Sequence, residues 1–276
     1  MPSPMPAQPF PHSDRVSLEL DDNGVALVRL TRPDKLNAID DALIDALIAL
    51  GQTLNTLPGL RAVVLSGEGR GFCAGLDLSA IAGLLADGTP ALIERTHGRA
   101  NRFQQIAVQW RDLPVPVIAA IHGVCLGGGL QIAAGADIRV CAPDARLAVL
   151  EMKWGIIPDM GLFALLRGVV REDALRELTF TNREFSGVEA RELGLVTVLD
   201  ADPLARATAI ATEIAARNPE AIRAAKRLFN QAHDLSCDAI LLAEASEQQA
   251  LLGSANQQEA VAAALQKRPP RFRDPG

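Results

Sequence analysis

IHGVCLGGGLQIAAGADIRV, Ile121 to Val140, decides how this 276-residue chain folds. An apolar run from Val115 to Ile121 leads into it and reads as a buried strand. Three consecutive glycines, Gly127 to Gly129, then open a helix, and Ile138 to Cys141 reads as the next buried strand. Strand, glycine turn, helix, strand is the repeating unit of a parallel α/β core. Glycines in the turn remove the Cβ atoms that would keep a ligand or a second backbone at a distance. The helix behind them begins with unpaired N–H groups and the positive end of its dipole, a setting that favours an anion.

A second glycine turn, GEGRGFCAGLDLS from Gly67 to Ser79, leaves the β-branched run Arg61 to Ser66. Either turn alone serves equally well as an ordinary strand-to-helix connection or as a place for tight helix packing. Together they put backbone donors at the ends of two strands, which is what two-pronged stabilisation of an oxyanion needs. Neither turn has the Gly-Lys-Ser/Thr of a phosphate loop or a strict dinucleotide fingerprint.

Farther toward the N-terminus, Arg15 to Leu20 and Val25 to Thr31 flank Asp21-Asp22-Asn23-Gly24, so a β-hairpin is expected. Asp40 to Leu57 has helical periodicity, with Asp40 or Asp41 as cap and Pro58 as stop. More helix is expected through Arg111. On the C-terminal side, Arg146 to Leu150 reads as a fourth core strand and Leu195 to Leu199 as strand-like. Helices are expected over Gly161 to Arg167, Glu172 to Thr181, Pro203 to Arg217, Pro219 to His233 and Asp238 to Leu252. The chain thus divides into a Pro-rich disordered arm (1–14), a core domain (15–200) and a helical C-terminal region (201–276).

At 49% hydrophobic the chain can bury a large core, and a net charge of −6 with scattered Lys and Arg argues against a nucleic-acid partner. Cys73, Cys125, Cys141 and Cys237 form no Cys-x-x-Cys pair, and His97, His122 and His233 have no partner at metal spacing, so no metal is expected. No apolar run reaches the ~18 residues of a membrane span. The arm has neither a signal peptide's apolar segment nor a presequence's arginines, and a cytoplasmic location is expected.

Four ordered motifs, RPDKLNAI (Arg32 to Ile39), GRGFCAGLDL (Gly69 to Leu78), the opening stretch, and EMKWGIIPDMG (Glu151 to Gly161), resemble the crotonase superfamily of enoyl-coenzyme A hydratases and isomerases. The likeness extends through GVEARELGLV (Gly187 to Val196) and NPEAIRAAKRL (Asn218 to Leu228). It implies an α/β fold with a spiral ββα core, a helical C-terminal trimerisation region, and a homotrimer or dimer of trimers. It also implies an acyl-CoA thioester substrate and no cofactor beyond the coenzyme A that the substrate carries.

By the same resemblance, the oxyanion donors are the backbone N–H groups of Leu76 and Gly128, and Lys35, Leu36, Ala74, Asp77 and Leu78 line the coenzyme A groove. Lys267, Arg271 and Phe272 are candidates for its adenine side. The resembling hydratases hold water between two glutamates. One falls on Glu151; the other falls on Gln131, which cannot take a proton and is left to orient substrate or water. Asp159 falls where some isomerases carry a second acid. Glu151 and Asp159 are therefore the expected proton shuttle, with double-bond isomerisation favoured over hydration. A helix cap for Asp159 and a solvated strand end for Glu151 are the plainer alternatives. A catalytically silent acyl-CoA-binding relative is the reading from a different class.

Overall fold

The computed structural model describes residues 13–77 and 91–275. Most of the expected arm, and Leu78 of the expected coenzyme A groove, lie outside the described residues.

The expected hairpin forms: β1 (Val16–Leu20) pairs antiparallel with β2 (Val25–Leu30). Gly24 takes a φ of 80° in the turn, and Asp21 Oδ1 accepts the N–H groups of Asn23 and Val25. Helix α1 (Asp41–Thr56) starts where its cap predicts, since the Asp40 side chain accepts the Leu43 N–H. Its buried stripe of Leu43, Leu47, Leu50 and Leu54 faces the sheet. β3 (Ala62–Gly67) pairs parallel with β2; α2 (Arg102–Asp112) begins at a capping box of Asn101 and Gln104. β4 (Val117–Ile121) pairs parallel with β3. The two glycine turns therefore do leave adjacent strands.

The next step departs from the sequence reading. After β4 the chain bends at Gly123, φ 59°, where an added Cβ would meet Arg70 O at 1.9 Å. It then forms a strand that the periodicity did not reveal, β5 (Val124–Leu126), before α3 (Gly128–Ala134) and β6 (Ile138–Cys141). The expected fourth core strand is shorter, β7 (Arg146–Ala148), and it pairs with β5 rather than with the main sheet. Three residues are too few to display alternation, so a second layer was invisible in the sequence.

Beyond it lie α4 (Leu162–Leu165), α5 (Glu172–Thr181), β8 (Phe185–Ser186), α6 (Gly187–Glu192) and β9 (Val198–Leu199). The main sheet has the order β1-β2-β3-β4-β6-β9 and the second sheet β5-β7-β8. The helix expected over Gly161 to Arg167 shrinks to the single turn of α4.

Four helices follow: α7 (Pro203–Ala215), α8 (Pro219–Gln231), α9 (Cys237–Leu251) and α10 (Ala255–Leu265), the last not foreseen. Helix α7 lays Ala207 and Ala211 against Val64, Ile118 and Val140 of the main sheet. On the other face Leu47, Trp110 and Ile132 of α1, α2 and α3 share one core with both sheets. Helix α8 is pinned by Lys226, whose Nζ donates to Trp110 O (3.0 Å), Val115 O (2.8 Å) and Asp137 Oδ2 (2.7 Å). Helix α9 buries none of its residues; Leu241 and Leu242 stand exposed.

The tail folds back onto the start of β3. Asn256 exchanges two hydrogen bonds with the Arg273 backbone, and Arg61 binds Asp274 at 2.6 Å and Phe272 O at 3.3 Å. The glycine turn leaves the other end of that six-residue strand, about 17 Å away at strand rise. Within one chain, Phe272 is therefore held at the wrong end of the sheet for the adenine role considered above.

Replacing Lys226 by Met leaves the Trp110 and Val115 carbonyls and the Asp137 carboxylate without their shared donor. Because Asp137 keeps a side-chain exposure of 26%, the loss should fall at the low end for a broken buried pair, about 2–3 kcal/mol in urea unfolding.

Candidate active site

The site is organised by one short stretch of backbone, Phe72 to Asp77, which other segments grip from both sides. On one side it bonds to the second turn: Phe72 N–H to His122 O, Cys73 N–H to Val124 O, and Leu126 N–H to Cys73 O, each at 3.0 Å. On the other it bonds to the RPDKLNAI loop: Ala74 N–H to Leu36 O (2.9 Å), Ile39 N–H to Gly75 O (2.8 Å), and Asp77 N–H to Ile39 O (2.9 Å). Ile39 and Leu76 thus form a parallel bridge. In such a bridge alternate residues point their N–H groups to opposite sides, so the Leu76 N–H is turned away from Ile39. Among the described residues it has no acceptor, and neither does the Gly128 N–H.

Glycine makes the approach of the two turns possible. A Cβ on Gly75 would lie 2.7 Å from Leu126 O and 3.5 Å from Gly128 N. A Cβ on Gly129 would strike Cys73 O at 2.5 Å. Gly127 takes φ 49° and donates to Ala148 O of β7, which leaves Gly128 as the first free donor of α3. The helix has only seven residues, so the dipole at its start is weak and the free N–H groups themselves are what this turn offers to an acceptor.

The RPDKLNAI loop contains two residues that the sequence reading did not single out. Asn37 is fully buried at φ 56° and its side chain uses both ends: Oδ1 accepts Arg32 N–H, while Nδ2 donates to Glu68, Gly71 and Phe72 carbonyls within 3.1 Å. It ties the loop to the first glycine turn. Arg32 binds Asp77 at 2.7 Å and also reaches Asp40 and Ala38 O. Asparagine tolerates a left-handed backbone, and that was the available signal. The expected groove residues gather here: Lys35 ends a 3-10 turn over Pro33–Lys35, Leu36 follows at φ 51°, and Ala74 and Asp77 face them through the bonds just given.

Glu151 does not end a strand. It opens a 3-10 turn, Glu151–Trp154, after β7 has finished, and is 8% exposed. Its carboxylate stands over the second glycine turn, since a Cβ on Gly127 would be 3.4 Å from Glu151 Oε1. That oxygen accepts Gln131 Nε2 at 2.6 Å, and Oε2 has no partner among the described residues. Gln131 is itself 1% exposed, and its Oε1 accepts the N–H groups of Met160 (2.8 Å) and Leu162 (3.3 Å). Two backbone donors fix the amide orientation, so Nε2 must face the carboxylate. Gln131 is the strut that aims Glu151.

Asp159 precedes α4, whose N-cap is Gly161, so Asp159 caps no helix. Burial pushes the Glu151 carboxyl above the usual range; the charge of Asp159 pushes the same way, and the Gln131 bond opposes. Burial raises Asp159 as well. Burial is the first cause of both shifts, and the charge of Asp159 is a smaller contribution at Glu151. Ile39 and Met160 wall the Gly128 side of the site, their side chains 2.8 and 3.0 Å from where a Cβ would sit. Burial lifts the Cys73 thiol to about 12 and Cys125 upward too, which removes both as nucleophiles.

The sequence profile of the family described as Enoyl-CoA hydratase/isomerase matches residues 21–275. The chain belongs to the enoyl-CoA hydratase/isomerase family. It is an enzyme of the crotonase superfamily, and its α/β fold is the fold of that superfamily. It is 31% identical over 91% of its length and 93% of the relative's to the peroxisomal Delta(3,5)-Delta(2,4)-dienoyl-CoA isomerase of Arabidopsis thaliana. It is 33% identical, over 91% and 96%, to a Bacillus subtilis protein named probable enoyl-CoA hydratase. The crystal structure of an enoyl-CoA hydratase from Bacillus anthracis superposes with a TM-score of 0.84 at 29% identity, covering 94% of this chain and 98% of that one. Among the described residues of this family member, no helix is long and apolar enough to cross a membrane.

Glu151→Gln keeps an acceptor for Gln131 and removes the buried charge. A carboxyl whose folded pKa is raised costs nothing below the unfolded value, about 4.3, and its penalty grows as pH rises through it. The variant should therefore equal or exceed the wild type in thermal stability at pH 7, with the gain vanishing toward pH 4, while turnover falls by about 10²–10⁴. Melting curves across pH and initial rates check both parts.

Proposed function

We propose that the protein moves a double bond within an unsaturated acyl-CoA thioester. The thioester oxygen sits between the Leu76 and Gly128 N–H groups. One of the carboxylates Glu151 and Asp159 removes a proton from a carbon conjugated with the carbonyl, the electron pair passes to that oxygen as an enolate, and the other carboxyl returns a proton at a different carbon. No separate cofactor takes part. The observation that carries this reading is the buried Glu151 carboxyl coupled to Asp159, with Gln131 committed to protein groups where a second water-holding glutamate would stand. The exposed Lys35, with Leu36, Ala74, Asp77 and Leu78, is assigned to the coenzyme A end.

Hydration is the second reading. It is favoured by the Glu151 Oε2, a buried acceptor with no partner among the described residues, and by the name of the Bacillus subtilis relative. The two separate cleanly: isomerisation leaves the product mass unchanged and takes up deuterium from heavy water, whereas hydration adds the mass of one water. Over a panel of enoyl and dienoyl thioesters, we expect unchanged mass with deuterium incorporation. Asp159→Asn should lower that turnover by about 10²-fold or more. Full activity in D159N, or a hydrated product from the wild type, overturns the isomerase assignment.

The assembly belongs to the same proposal. A fifteen-residue helix with no buried residue, α9, and exposed Phe229, Leu241, Leu242 and Leu252 call for a partner surface. A homotrimer, alone or doubled, supplies it. Light scattering should give three or six times the 29.3 kDa chain mass; a monomer at assay concentration would contradict it.

A further inference from the structure

At the edge of the main sheet opposite the glycine turns, α8 closes a cavity of about 440 Å³ over the C-terminal end of α3 and the start of β6. Its walls are apolar over Leu165, Val169, Ile214, Ile222 and Phe229. Its polar lining is mostly cationic: Arg111, Arg139, Lys226 and His233, against the one acid Asp137. That acid is already occupied. Asp137 Oδ2 accepts both Lys226 Nζ and the Val117 N–H, each at 2.7 Å.

The two arginines have no such partner. Arg139 is 7% exposed and spends Nε on Leu195 O and Nη1 on Ala136 O, both at 2.6 Å. Arg111 makes one long contact, Nη1 to Leu165 O at 3.4 Å. Neither forms an ion pair among the described residues, and the Arg139 Nη2 makes no hydrogen bond there. Burial, with the neighbouring Arg111 charge acting in the same direction, lowers the Arg139 guanidinium to about 10 even though Asp137 opposes the shift. Two guanidiniums that repel across a half-enclosed space, each with donors to spare, match a planar two-oxygen anion.

We propose that this cavity is a binding site for a small carboxylate with a short apolar chain. The carboxylate lies between Arg111 and Arg139, the chain lies along Leu165, Val169 and Ile222, and the site is separate from the thioester site at the far end of the strands. The volume suits a small organic ligand. Inorganic phosphate alone would use the arginines and leave the apolar wall unfilled.

Calorimetric titration of the full-length protein with sodium octanoate, repeated with saturating acetyl-CoA, tests this. The expected result is one octanoate per chain, unaffected by acetyl-CoA, bound more tightly than inorganic phosphate. Arg111→Leu, which loses one weak contact, should weaken octanoate at least about tenfold. Val169→Trp, which fills the cavity from its exposed wall and leaves every charge in place, should do the same; circular dichroism confirms that both variants fold. No binding to the wild type, full affinity in either folded variant, or displacement by acetyl-CoA overturns the proposal. So does octanoate binding that requires the assembly to dissociate, because the arginines would then be answering an acidic side chain of a second copy.

Discussion

The structure depends on the backbone of Phe72 to Asp77 being hydrogen-bonded on both flanks. A segment in that position behaves as the middle strand of a three-stranded ribbon, although its outer members come from loops. The N–H groups of Phe72 and Cys73 are consumed on one flank and those of Ala74 and Asp77 on the other, while the Leu76 N–H has no acceptor among the described residues. Such an arrangement needs main chains closer than side chains allow. The glycines at 75, 127 and 129 are therefore a geometric requirement of the ribbon, and the identity of residue 76 itself is free.

The polar chemistry stands on that ribbon at an energetic cost. Glu151 is buried beside Asp159, and both are held above the usual carboxyl range by loss of water. An apolar pair at these positions would make a more stable protein. The cost is contained by Gln131, which anchors its oxygen on two backbone donors and presents its nitrogen to the carboxylate. One amide thus ties the middle of α3 to the Glu151 turn and to the start of α4.

Much of this was legible in the sequence, for identifiable reasons. Long elements with one buried face, such as α1 with its Leu43, Leu47, Leu50 and Leu54, show their period over four turns. The apolar run of β4 is unbroken because both of its faces are covered. What escaped was short or non-local. β5 and β7 are three residues each and exist because they find each other across a bend. The motifs placed Glu151, Asp159 and Gln131 near one site, but only the fold shows Gln131 bonded on both sides and Asp159 released from any helix cap. Asn37 and Arg32 act through contacts up to 45 residues distant, which no local pattern encodes.

The return of the tail to Arg61 has a consequence for the order in which the molecule is built. The Arg61–Asp274 contact joins residues 213 positions apart, and closing so long a loop costs conformational entropy unless the intervening chain is already compact. It therefore forms after the hairpin, the parallel ladder and the helices that shorten that distance. β3 can pair with β2 early, across one helix, yet Arg61, the residue just before it, stays unlatched until the whole sheet and its covering helices have condensed. Arg61 is thus a late fastener on an early strand.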